Sequence, residues 1–372
     1  MARALAQRGH AVTVACGQYA GAETGLQGRF RRGRREGRVA GFRVVQFAVP
    51  YDNAMGLAAR TLAFLRFAWR AALLVRGERF DLVIASSTPL TVALPALASP
   101  APFILEIRDP WPELPRAMGG VPAPVLAAMG GLASLACRRA AAVVALSEGM
   151  AEIARARGAR RVEVIPNGAD LDLFGPQVRP ARPDASGHEV LAVYAGAHGR
   201  ANGLDLALDA AALLRDAPLR LILVGEGSEK PRLVARAAAE GLGNVSFLPP
   251  MPKGDLASLL AGCQIGLFLL APVPAFAELT APNKLMDFLA AGLPVVGNVP
   301  GHAARCIEDG HCGIAVPPGD AAALAAALRA LAMQPARRAA MGLSARAQAI
   351  RRWDRRLQAR AFCALVERTG AG

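Results

Sequence analysis

Short apolar runs alternate with stretches of helical periodicity along most of the chain. The runs fall at residues 11–15, 81–85, 103–107, 142–146, 190–194, 219–224, 244–248 and 265–270, and again from 294. Gly, Pro, Ser or Asn bounds most of them, and between many of them apolar residues recur every three or four positions. Strands that are apolar on both faces, alternating with amphipathic helices, predict parallel sheets covered by helices, an α/β fold.

The stretch 278–301, ELTAPNKLMDFLAAGLPVVGNVPG, shows this unit most fully. The run before it predicts a buried strand. Thr280 suits a helix N-cap, Pro282 the first turn, and Gly292 the position just past the helix end. Such a unit brings a loop and a helix N-terminus to the carboxyl edge of a parallel sheet. Open α/β sheets bind ligands there, and free N–H groups favour phosphate. Asn283 and Asp287 are four residues apart and share one helix face, while Lys284 adds a cation at the helix mouth. A buried αβ unit with no ligand would show the same pattern.

Other strands also end in polar or glycine-rich turns. Residues 81–85 lead into Ser86-Ser87-Thr88-Pro89, and residues 103–107 into Arg108-Asp109-Pro110-Trp111-Pro112-Glu113, where two prolines exclude continued regular structure. Residues 190–194 lead into AGAHGRANGL, which suits a diphosphate approached by backbone N–H groups but lacks the G-x-G-x-x-G dinucleotide fingerprint. Gly225-Glu226-Gly227 and Pro249-Pro250-Met251-Pro252 end two more strands, and Ser147 is placed to cap a helix. The Pro- and Arg-rich stretch 175–188 reads as a linker between a domain at 1–174 and another at 189–343, with a final helix near 344–368.

A chain of 372 residues can hold two full cores. Its net charge is +14, yet only three of its 43 basic residues are lysine. That bias fits a G+C-rich genome, so the charge is weak evidence for an anionic partner. Six arginines between 29 and 38 predict a solvated loop. With aromatics at 5%, this local run does not make a nucleic-acid site. Six cysteines without paired spacing fit a reduced cytoplasmic protein. His302, Cys306, His311 and Cys312 match no zinc pattern, so neither a metal nor a cofactor is expected. No signal peptide is visible. The uncharged run 119–137 is broken by Gly and Pro and predicts a buried helix rather than a membrane span. Residues 57–75 form an apolar helix interspersed with Arg60, Arg66 and Arg70. Alone it reads as a helix packed on a sheet with its arginines in water. Together with the arginine run it reads as a basic surface for anionic lipid.

PNKLMDFLAAGLPVV, RDPWPE and IPNGAD resemble retaining glycosyltransferases of family 4. They are most similar to the branch that elongates lipid-linked O-antigen and capsule precursors and includes N-acetyl-L-fucosamine transferases. The resemblance implies two Rossmann-like domains facing a cleft, the GT-B architecture, with residues 344–372 packing back on the N-terminal domain. It implies metal-independent transfer of a sugar, with retention, from a nucleotide diphosphate donor, most simply a UDP-sugar. The acceptor would be a polyprenyl-diphosphate-linked glycan at the cytoplasmic face of the plasma membrane.

By the same resemblance Asp287 would hold the ribose hydroxyls. The partner carboxylate is displaced, because Leu279 occupies its place and Glu278 stands one residue away. Arg108, with Asp109 and Glu113, would lie near the transferred sugar. Gly196, Arg200, Gly225, Glu226, Met251, Thr280, Asn283, Lys284 and Leu285 would contact the donor. Ala197 and Asn202 stand where the family often has an Arg and a Lys that neutralise the diphosphate, which leaves Arg200 and Lys284 as replacements. RALAQRGHAVTVAC resembles the end of the family's first helix and its second strand. The first strand and its glycine-rich loop are therefore expected upstream, and their absence implies a misplaced coding start or a truncated gene with two strands left unpaired. A nucleotide-sugar epimerase on the same architecture, and a non-catalytic nucleotide-sugar-binding scaffold, are the alternatives.

Overall fold

The computed structural model describes residues 1–19, 24–52, 55–181, 189–279 and 283–370. It divides into two compact units, one of Met1–Ile165 with Ala359–Gly372 and the other of Pro166–Gln358.

The first unit contains β1 (Thr13–Tyr19), β2 (Arg34–Val39), β3 (Phe42–Tyr51), β4 (Val83–Ser86), β5 (Phe103–Ile107), β6 (Ala142–Ala145) and β7 (Val162–Val164). They form two separate sheets, β1-β3-β2 and β4-β5-β6-β7. All neighbours are parallel except β2 and β3. β1 and β4 are edge strands of their sheets. The interior strand β6 is buried along its length, whereas most of β1 is only half-buried and Ile84 of β4 is 36% exposed. Beneath the sheet, Leu5, Ile104, Val144 and Ile165 pack with Phe362 and Leu365 from the C-terminal helix, so that helix belongs to this core.

Two expectations are corrected in detail. The arginine run is not all loop, because Arg34–Val39 is a strand paired antiparallel with β3. Ala40 and Gly41, both at positive φ, make the tight turn that a two-residue hairpin needs. The final helix is two helices, Pro335–Arg352 and Arg355–Gly370. Between them the Trp353 carbonyl accepts from Ala169 N–H, and Arg355 N–H donates to the Ala169 carbonyl.

The helix Leu57–Gly77 packs on the sheet as expected, against Val45, Phe47 and Val49 of β3. It packs inward through Ala63, Ala68, Ala71 and Leu74, with Phe67 beside them. Its larger residues point out: Leu62, Leu65, Trp69 and Leu73 are 46–68% exposed. Spaced by three or four residues, they form one stripe, and the exposed Arg66 and Arg76 share that face. Arg70 Nη1 donates to the Gly33 carbonyl at 2.9 Å, tying the helix to the arginine hairpin. Among the described residues no helix is long and apolar enough to cross a membrane.

The second unit holds one parallel sheet of β8 (Val190–Ala195), β9 (Leu219–Val224), β10 (Val245–Leu248), β11 (Ile265–Phe268), β12 (Val295–Gly297) and β13 (Gly313–Ala315). Its order is β10-β9-β8-β11-β12-β13. This is the doubly wound nucleotide-binding order, whose strand sequence reverses between β8 and β11 and opens a crevice there. Leu191, Val193, Leu221, Leu223, Leu267 and Val296 are all at most 1% exposed, as expected for strands covered on both faces.

Candidate functional site

In the second unit the loops after β8, β9 and β11 and the helix Asn283–Ala290 converge at the reversal point. The first two loops are joined through their backbones. His198 N–H donates to the Glu226 carbonyl at 2.8 Å, and Glu229 N–H donates to the His198 carbonyl at 2.9 Å. A Cβ on Gly225 would overlap the Gly196 carbonyl, and one on Gly227 would lie 2.5 Å from the His198 carbonyl. Across the reversal point, Ala271 N–H donates to the Ala201 carbonyl at 2.9 Å. Glycine is required here by close backbone approach.

Lys284 enters this crevice from the first turn of its helix. Its Nζ donates to the Tyr194 hydroxyl at 2.8 Å and to Asn202 Oδ1 at 3.1 Å, and lies 4.2 Å from the centre of the Tyr194 ring. It also lies against Gly196, close to where a Cβ would stand. Both hydrogen-bond acceptors are neutral, and burial pushes the Lys284 ammonium down to about 7. His198 is fully buried beside Tyr194 and Phe247. Neither of its ring nitrogens has a hydrogen-bond partner of ordinary geometry, and burial, then Lys230, hold its pKa below the usual value. Lys230 Nζ donates to the Gly225 and Leu248 carbonyls and pairs with Glu226 at 3.1 Å. Sequence reading missed Tyr194, His198 and Lys230, because only the folded loops bring them next to Lys284.

Asp287 lies one turn further along the helix and is mostly buried, with Lys253 Nζ at 3.6 Å. Burial holds its carboxyl above the usual range, opposed by Lys253 and then Arg355. Lys253 follows the half-buried Met251 by two residues and also sits over the Phe174 ring. Asp287 and the loop after β10 therefore belong to one neighbourhood. Leu285 is buried in the core and Asn283 is exposed at the helix start. Arg200 stands apart: its side chain is 88% exposed and lies 3.7 Å from Glu229. Thr280 lies outside the described residues, and Glu278 belongs to the short helix Phe276–Leu279. Gly292, at φ 73°, ends the helix as expected, and Leu293 N–H bonds back to the Phe288 carbonyl.

A model described as "Glycosyl transferases group 1" matches residues 189–334, and one described as "Glycosyltransferase Family 4" matches residues 1–173. The two parts of the chain thus each match a glycosyltransferase domain model, and the fold is of the GT-B type. It is 34% identical over 206 residues to the D-inositol 3-phosphate glycosyltransferase of Pseudarthrobacter chlorophenolicus, which covers 51% of this chain and 46% of that protein. It is 32% identical over 126 residues to WcaI of Escherichia coli (strain K12), a protein named for glycosyl transfer in colanic acid biosynthesis, covering 33% and 29%. The chain thus spans less than half the length of these curated relatives. The sucrose-phosphate synthase of Thermosynechococcus elongatus superposes with a TM-score of 0.77 at 17% identity, over 100% of this chain and 92% of that one. Anabaena HepE in complex with UDP superposes with a TM-score of 0.66 at 19% identity, over 86% and 85%.

The part of the chain matched by the family 4 model carries the other candidate residues, on loops after β4 and β5. Arg108 and Asp109 are exposed, the Arg108 N–H donates to Ser87 Oγ at 3.2 Å, and Thr88 Oγ1 donates to Asp109. Glu113 begins the helix Glu113–Met118 and is committed to Arg157, whose guanidinium also donates to the Gly130 carbonyl and Ser134 Oγ. Its second carboxylate oxygen is buried without a partner. Arg108 and Asp109 therefore lie exposed on the loop after β5, while Glu113 is tied to Arg157.

Proposed function

We propose that this chain transfers a sugar from a UDP-linked donor to a lipid-linked glycan in cell-surface polysaccharide synthesis. The observation that carries the reading is the meeting of Lys284, the Gly196 and Gly225 loops and Asp287 at the strand-order reversal. Glycine loops let backbone N–H groups approach a diphosphate, and Lys284 supplies charge where the leaving group gains it. Asp287, one helical turn away beside Lys253, accepts the ribose hydroxyls. HepE, a structural neighbour, was crystallised with UDP and with UDP-glucose, which supports UDP as the carrier. The sugar we favour is an N-acetylated 6-deoxyhexose, from the RDPWPE and PNKLMDFLAAG resemblance, and the reaction is metal-independent hexosyl or N-acetylhexosaminyl transfer.

Calorimetry with UDP tests the donor site. Asp287→Ala is expected to weaken binding by roughly 1–3 kcal/mol, about 5- to 150-fold, the loss for a charged hydrogen bond in a buried setting. Absence of UDP binding by the folded wild-type chain would refute the reading. Release of labelled sugar with, and not without, a polyprenyl-diphosphate glycan separates transfer from epimerisation.

The outward stripe of the Leu57–Gly77 helix supports a peripheral position on the inner, anionic face of the plasma membrane. Trp69 and three leucines offer apolar area of the kind that sits at the headgroup boundary, and Arg31, Arg32, Arg34 and Arg66 are exposed on this helix and the hairpin tied to it. Vesicles containing phosphatidylglycerol should carry the protein in flotation, less so as salt rises. Trp69→Glu should lower partitioning about tenfold or more, since burying such a side chain is worth ~1.5–3 kcal/mol. Equal flotation of wild type and variant would exclude this face.

A further inference from the structure

The carboxyl ends of β1 and β3 open into a cavity of about 560 Å³ lined only by residues of the first unit. That volume lies within the range of ordinary small-molecule sites, ~300–1,000 Å³. One wall is aromatic. Tyr19 and Tyr51 are register partners whose ring centres lie 5.6 Å apart, and Tyr51 is backed by Phe64 of the Leu57–Gly77 helix at 5.2 Å. Tyr19 is 42% exposed.

The floor is a polar network fixed in place. Gln46 is buried, and its Oε1 accepts from Arg35 Nε at 2.8 Å and from Thr24 Oγ1 at 3.3 Å, while its Nε2 donates to the Gly17 carbonyl at 3.1 Å. Arg35 also donates to the Gly28 carbonyl and lies over the Phe30 ring at 4.9 Å. Gln18 adds a further side-chain amide to the lining. Among the described lining residues Arg35 is the only basic one, its hydrogen bonds and ring contact already hold it, and Asp52 adds a carboxylate that would repel an anion. An anion would find little here.

The lining suits an uncharged polyol. A pyranose ring carries a C–H face that packs on an aromatic ring, and a rim of hydroxyls that each donate and accept. Amide and hydroxyl side chains match that dual character, and tyrosine offers an apolar body with a polar tip. We propose that this cavity is a saccharide subsite that holds one sugar ring of the acceptor glycan, stacked on Tyr19 and Tyr51. The assignment rests on the glycosyltransferase reading above. It also gives the first unit a substrate contact separate from Arg108 and Asp109.

The test is saturation-transfer NMR on the full chain, without nucleotide, against methyl glycosides of glucose, galactose, fucose, N-acetylglucosamine and N-acetylgalactosamine. At least one should receive magnetisation, with the signal lost in Tyr51→Ala, reduced at least fivefold in Tyr19→Ala and kept in Tyr51→Phe. UDP binding by calorimetry should be unchanged in all three, which also shows that the variants fold. No glycoside signal in the wild type, or a signal that survives both alanine variants, overturns the subsite. Tyrosine-dependent glycoside binding in a chain that does not bind UDP would sink the donor reading and leave this site standing. UDP binding without any glycoside signal would do the reverse.

Discussion

Lys284→Met is expected to melt at a higher temperature than wild type at pH 7 while binding UDP at least tenfold more weakly. The two effects share one cause. Lys284 is held in a largely apolar crevice with only neutral acceptors, and its pKa falls from 10.5 to about 7. Between those values the unfolded chain carries a proton on this residue that the folded chain does not. The unfolded state binds more protons, so stability rises with pH across that window. Below about pH 7 the folded protein carries the full cost of a buried cation, a few kcal/mol by the usual conversion.

Methionine fills the space without that cost and leaves no group stranded. The Tyr194 hydroxyl still reaches the Ala197 carbonyl and Asn202 Oδ1, each at 2.8 Å. The gain in melting temperature should be largest at and below pH 7 and fade toward pH 10.5. UDP binding responds in the opposite sense. A diphosphate favours the protonated amine, so wild type should take up close to one proton per UDP near pH 8.5, as read by calorimetry in buffers of different ionisation enthalpy. The other titratable groups around the crevice are Tyr194, His198, Lys230, Glu226 and, one turn along the helix, Asp287 with Lys253; Glu226 already pairs with Lys230 and Asp287 with Lys253. Uptake should therefore vanish in Lys284→Met. If the variant binds UDP like wild type, Lys284 is a structural residue and does not touch the donor.

Much of this site could be read from the chain, and the part that could not has definite causes. The strands β1, β4, β5, β6 and β8 to β12, the Ser147 cap, which accepts from Met150 N–H at 3.3 Å, and the Gly292 helix end rest on local rules. The placement of Lys284 and Asp287 on one helix at a sheet edge follows from the same rules. Tyr194 did not stand out, because in sequence it is one more apolar strand residue. Its hydroxyl matters only once the reversal of strand order brings β8 beside the Asn283–Ala290 helix. The arginines of 29–38 hid the strand Arg34–Val39, since a run of one charged residue masks the alternation of faces. The Leu57–Gly77 helix is apolar on two sides, so periodicity alone could not say which side packs. Alanine against the Ala93–Ala98 helix allowed the close inner contact and left the leucines and Trp69 outside. Trp353, read as part of one long helix, instead marks the break where the chain bonds Ala169 and turns back toward the first unit's core.

Gly225→Ala should be the most damaging single-methyl change in the donor site. Gly225 adopts φ 142°, a region that side chains rarely occupy, and its new Cβ would meet the Gly196 carbonyl. A backbone carbonyl cannot rotate away as a long side chain can, so the loops after β8 and β9 must separate. Gly196 N–H bonds to the Val224 carbonyl at 3.0 Å, and Lys230 holds the Gly225 carbonyl at 2.8 Å, so separation strains both. Strain and overpacking together should cost on the order of 3 kcal/mol. UDP binding should fall about a hundredfold, because the loop N–H groups no longer converge. Gly254→Ala is the control. It lies in the first turn of the helix Lys253–Gly262 with nothing within 4 Å of a new Cβ, and alanine there should leave the melting temperature unchanged or slightly raised. Loss of UDP binding in Gly225→Ala with an unchanged melting temperature would mean that the loop is free to shift and that its N–H groups act on the ligand alone. Unchanged binding and stability would mean that the two loops do not touch as described, and the donor site would have to be redrawn.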